Sequence, residues 1–168
     1  MTPVWYTYRM ELTTRLLADG AQRTPDGKVH ILGGQWDRLV AGSFPVVHPS
    51  LAVVLVLRVE YTEALGRHEL HVDLMKDGAL QGFGAVGNLD LGHPPGLAPG
   101  ASQSAPIALT FPLVTFATPG RYEWVISVDG EPLGSLPLEV IEASGMPGFP
   151  PQPGMITGLP PGTSPGDQ

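Results

Sequence analysis

The chain has 168 residues, of which 42% are hydrophobic and only 15% charged, against about 25% charged in ordinary globular proteins. Its 22 glycines and 19 prolines exclude a coiled coil, a helical repeat or any long-helix architecture. A net charge of −7 with nine basic residues argues against a nucleic-acid partner, no apolar run is long enough for a membrane helix, and the lack of cysteine removes disulfides, thiolate metal sites and thiol nucleophiles.

Residues Met1 to Glu11 show no basic stretch leading into an apolar one, so no secretory signal is expected. Without cysteine either, the expectation is a cytoplasmic protein with no membrane partner. From Tyr8 to Leu17 apolar residues alternate imperfectly: Met10, Leu12 and Leu16 share a face with Tyr8, and Leu17 falls on the other. Asp26-Gly27 predicts a turn into a segment from Lys28 to Leu39, interrupted by Gly33-Gly34, a pair that inside a strand marks a bulge or a close backbone approach. Leu51, Val53, Leu55, Leu57, Val59 and Tyr61 alternate with Ala52, Val54, Val56, Arg58 and Glu60. The second set begins apolar and ends charged, which predicts a central strand whose far end emerges into solvent.

His68 to Met75 alternates in the same way, and Asp77-Gly78 is a favoured hairpin turn into a return strand from Ala79 to Val86. A loop rich in glycine and proline is expected from Gly87 to Gln103. Ile107, Leu109 and Phe111, then Tyr122, Trp124, Ile126 and Val128, then Leu136, Leu138 and Val140 mark three more strands, the last two joined by Asp129-Gly130. The pattern predicts an all-β fold: an immunoglobulin-like antiparallel β-sandwich of eight or nine strands over residues 1–143. Gly120-Arg121-Tyr122-Glu123-Trp124 is its most specific local feature, since a tyrosine at that corner of such folds bonds back to the backbone. From Ser144 to Gln168 there are seven prolines and six glycines with one charge, Asp167, which predicts a disordered tail over 144–168 with polyproline character, where Phe149 to Pro153 suits an aromatic groove.

Candidate chemistry is sparse. Gly82-Phe83-Gly84-Ala85-Val86-Gly87 matches a dinucleotide fingerprint in spelling, yet Pro94-Pro95 follow too closely for the required helix, so it reads as a glycine-rich strand end. His68 and His71 lie three apart and face opposite ways on a strand. Glu69, His71 and Asp73 share a face at intervals of roughly 7 Å, a set that would hold a divalent cation if the three converged. Neither a nucleophile elbow nor a phosphate-binding loop occurs, and no cofactor is expected. Two features suggest recognition instead. Trp36, Asp37 and Arg38 follow the glycine pair, and His93, Pro94, Pro95 and Leu97 stand in the long loop, where binding residues concentrate.

Leu17 to Ala21, Pro25 to Gly34, Gln35-Trp36-Asp37, Phe44-Pro45, His93 to Gly96 and Pro119 to Tyr122, in that order, resemble a bacterial family of uncharacterised proteins common in actinobacteria. The likeness spans residues 14–142 and implies a small β-sandwich without assigning an activity. Most of these motifs are backbone devices, so they describe a shape and not a reaction. The expected role is a non-enzymatic binding or structural module that engages a protein partner or self-associates. Small-molecule or carbohydrate binding near Trp36 is the alternative, and a metal-dependent hydrolase around His71, His30 or His93 comes third.

Overall fold

A computed structural model describes residues 10–143. The predicted tail and its Phe149 to Pro153 motif lie outside the described residues. Nine strands run in chain order: β1 (Glu11–Arg23), β2 (Val29–Gly34), β3 (Arg38–Ala41), β4 (Val46–Val59), β5 (Arg67–Lys76), β6 (Ala79–Asp90), β7 (Gln103–Phe116), β8 (Gly120–Val128) and β9 (Glu131–Glu142). A short 3-10 turn at Glu63–Leu65 joins β4 to β5, and among the described residues no helix is long and apolar enough to cross a membrane. The strands form a four-stranded sheet, β2-β1-β4-β7, and a five-stranded sheet, β3-β9-β8-β5-β6. All neighbours are antiparallel except β3 and β9, which run parallel.

Both sheets contribute their inward rows to one core. Leu51, Val53, Leu55, Leu57 and Val59 of β4 are buried there with Val72 and Leu74 of β5, Trp124 and Ile126 of β8, and Leu138 of β9. Across the sheets, the rings of Phe111 and Trp124 lie 4.5 Å apart at 31°. Burying a side chain as large as Trp124 contributes about 3 kcal/mol, which makes this pair a main tie between the layers. The predicted alternation is found where it was clearest, and Tyr61 is the exception, since β4 ends at Val59.

The imperfect alternation of the first strand has a cause. The register against β4 shifts between Leu12 and Thr14, a bulge that turns Leu17 into the main core and leaves Leu16 on the opposite face. A second change of phase was not predicted. In β4 and β7 the inward positions step from Leu51 to His48 and from Phe111 to Val114, three residues instead of two, while the pairing stays continuous. Both strands rotate together beside Pro49 and Pro112, and Leu113 absorbs the rotation at φ 51°. That conformation is unusual for a bulky side chain, and it leaves Leu113 64% exposed.

The segment from Lys28 to Leu39 is two strands, not one. β2 belongs to the four-stranded sheet and β3 to the five-stranded sheet, and Gln35-Trp36-Asp37 carries the chain between them. Gly33 and Gly34 therefore end a strand. Gly33 has φ 59°, and an added Cβ there would lie 2.1 Å from Asp19 Oδ2, so the glycine admits both the turn and the carboxylate.

The four-stranded sheet also curls away from the main core. Its two edges, β2 and β7, touch each other. Thr110 Oγ1 of β7 donates to the Ala21 carbonyl of β1, 3.4 Å away across β4. Ala18, Ala52 and Val54 line the inside of this curl and are fully or almost fully buried without joining the main core. Small side chains at these positions let the strands bend this sharply.

Candidate functional site

Trp36, Asp37 and Arg38 lie at the crossover between the sheets. Trp36 is half-buried against the core, and its ring centroid is 5.2 Å from that of His48. Trp36 Nε1 and His48 Nδ1 are both buried without a hydrogen-bond partner among the described residues. Burial pushes the His48 pKa down, against an opposing pull from Asp19, so this imidazole is held neutral at pH 7. The Asp37 carbonyl accepts from the Glu139 amide, 2.8 Å away. Arg38 sends Nε and Nη2 to Glu139 Oε2 at 3.2 and 3.0 Å across the parallel β3–β9 pair. The three predicted residues thus anchor the crossover: a wedge and two links to β9.

His93, Pro94, Pro95 and Leu97 lie elsewhere. β6 continues to Asp90, so the loop is shorter than predicted, spanning 91–102, and it is fastened down. His93 Nε2 donates to the Tyr61 carbonyl at 2.7 Å, and its ring stacks on that of Tyr61 with centroids 3.7 Å apart. The Gly92 amide donates to the Ala64 carbonyl at 3.1 Å, and Gln103 Nε2 to the Gly92 carbonyl at 2.7 Å. Pro94 and Pro95 are exposed, and Leu97 is half-buried. The loop walls a cleft of about 430 Å³ between the ends of β6 and β7, with Arg23, Asn88, His93 and Gln103 on its rim. The Trp36 group lines a different depression, with Arg15, Leu17 and Leu136. The two predicted groups therefore do not form one site.

The outward row of β5 explains the histidines. His71 Nε2 donates to Glu69 Oε1 at 2.6 Å. Asp73 leans away from this pair, for a Cβ on Gly84 would lie 2.3 Å from Asp73 Oδ1. The candidate trio does not converge, and no group of three or more metal-ligating side chains occurs among the described residues. His68 faces the other way. Its Nδ1 donates to Asp129 Oδ2 at 2.7 Å and its Nε2 to the Glu63 carbonyl at 2.8 Å, while Asp129 Oδ1 accepts the Glu69 amide at 2.9 Å. Two acceptors at the two ring nitrogens call for the imidazolium form. Burial pulls the His68 pKa down, but the hydrogen bonds to Asp129 and Glu63 and the charges of both outweigh it, so the net shift is upward. The Glu69 amide and His68 hold Asp129 below its ordinary pKa. Sequence reading missed this clamp, because its partners are 61 and five residues from His68. Its one local signal was Asp129-Gly130, read only as a turn.

These features define the class: an all-β protein of two sheets around a shared core, whose polar side chains mostly fasten crossovers and loops. The chain belongs to a family of unknown function, DUF6941, whose model matches residues 14–141. No curated protein matches it.

Proposed function

We propose that the chain is a non-enzymatic, immunoglobulin-like binding module of the cytoplasm that engages a protein partner or a second copy through its sheet edges. The observation that carries this reading is where large apolar side chains meet solvent. Of the seven exposed ones among the described residues, five lie on edge strands, Ile31 and Leu32 on β2, Leu80 and Val86 on β6 and Leu113 on β7, while Val47 lies on the inner strand β4 and Leu65 in the 3-10 turn. At β6, whose outer rim faces no other strand among the described residues, such groups stand beside unpaired backbone donors and acceptors and suit recognition by another chain. The immunoglobulin-like description is supported by Tyr122, whose hydroxyl donates to the Thr118 carbonyl four residues upstream at 2.7 Å.

His68 is unsuited to act as a base or metal ligand, because both of its ring nitrogens donate to acceptors within this chain. Carbohydrate stacking would need an open Trp36 face, but that ring is wedged against His48 and the core. Size-exclusion chromatography with light scattering, together with capture of partners by the tagged full chain, tests the proposal. A chain that stays monomeric at every concentration and captures nothing overturns it.

A further inference from the structure

We infer that the open edge of β6 docks an extended segment of a basic partner protein, which joins the five-stranded sheet as a sixth strand. The inference rests on the partner-binding reading above. β6 ends the sheet order, so one row of its backbone N–H and C=O groups faces no strand among the described residues. Natural edges are commonly blunted by lysine, proline or a bulge. β6 contains neither lysine nor proline, and its irregularity is confined to the region of Gly82, at φ 80°. From Gly84 to Asp90 it keeps unbroken register with β5. Phe83 and Ala85 pack against the core and hold the strand in place, while Leu80 and Val86 stand 68% and 62% exposed.

The charge of this rim selects the partner. Asp73 extends across Gly84, the last strand's own backbone, and no described residue pairs with its carboxylate. Asp77 and Asp90 stand at the two ends of β6. Of the nearby cations, Arg67 is opposite Asp90, and Lys76 is turned away to Thr118 and the Pro119 carbonyl. An incoming strand brings its side chains to about 5 Å from those of β6, so a lysine or arginine there meets Asp73 while an apolar neighbour covers Val86. A second copy would instead bring its own Asp73 to the same rim, and each copy carries a net charge of −7.

The probe is a short fluorescein-labelled peptide alternating valine and lysine, with a valine–glutamate counterpart, added to the full chain. Saturable anisotropy is expected for the lysine peptide alone, weakening as salt rises. Binding should slow amide exchange from Gly84 to Asn88. Asp73→Asn should weaken binding about three-fold, and Val86→Pro should abolish it in a chain that circular dichroism shows to be folded. If Val86→Pro does not fold, Asp73→Asn carries the test. Absent binding, equal binding of both peptides, or protection outside β6 overturns the inference. So does protection of β6 that rises with protein concentration before any peptide is added, which assigns the rim to a second copy. If partner capture by the full chain persists unchanged in Asp73→Asn and Val86→Pro, this inference falls and the binding-module reading stands.

Discussion

Replacing His68 with glutamine should destabilise the protein in acid and much less in base. His68 is 12% exposed and bridges Asp129 in the β8–β9 turn to the Glu63 carbonyl in the 3-10 turn. Its folded pKa is raised above 6.5, so its contribution is complete below that value and is lost as pH climbs through the folded pKa. Asp129 behaves in the opposite sense: its pKa is lowered from 3.8, so its contribution is present above that value and is lost as pH falls through the folded pKa. The clamp is therefore strongest between these two ordinary values. A dry charge-assisted bond contributes about 1.5–3 kcal/mol, but Asp129 is 51% exposed and solvent screens the pair. We expect His68→Gln to cost about 1–2 kcal/mol near pH 5.5, a fall of about 5 °C in melting temperature. Above the folded pKa, where the imidazole is neutral, that difference should shrink to less than half. Thermal melts across this range, paired with NMR titration of the imidazole, read both quantities. A gap independent of pH, or an imidazole that titrates below its ordinary value, refutes the reasoning.

Tyr122→Phe removes only the hydroxyl that donates to Thr118, leaving the ring against Phe116, and should cost about 1 kcal/mol in urea unfolding. Gly33→Ala should cost about 1–2 kcal/mol from its left-handed backbone together with the Asp19 contact. Measured in an Asp19→Ala background, the steric part of that loss should vanish and the backbone part remain. Ala52→Leu overfills the inside of the curl, where Ala52 is 0% exposed, and should cost about 2–3 kcal/mol by calorimetry; a neutral result would show that the curl opens without penalty.

Strands that alternate and sit mid-sheet were legible in the sequence. β4 from Leu51 to Val59 and β8 from Tyr122 to Val128 read directly, because each buries every second side chain in the shared core. The hairpin turns at Asp77-Gly78 and Asp129-Gly130 read as well, with both aspartates at positive φ. What escaped depends on partners distant in the chain. The rotation at Leu113 needs both strands of a pair, and the curl appears only once β2 meets β7. The division of the Lys28 to Leu39 segment turns on Gln35, at φ 66°, a conformation its residue type does not announce. Trp36 and His93 were read as candidate recognition residues; their rings pack onto His48 and Tyr61, and no local pattern encodes those neighbours.

The curl of the four-stranded sheet bears on how such chains can add up. By turning β2 against β7 it folds two of the four lateral borders toward each other, and β3 offers only four residues at a third. Among the described residues β6 is left as the one long rim facing outward. Fibre growth by strand addition needs two matching rims on every unit, one to receive and one to pass on. A unit with a single usable rim terminates any stack that it joins, so the architecture favours closed complexes over filaments.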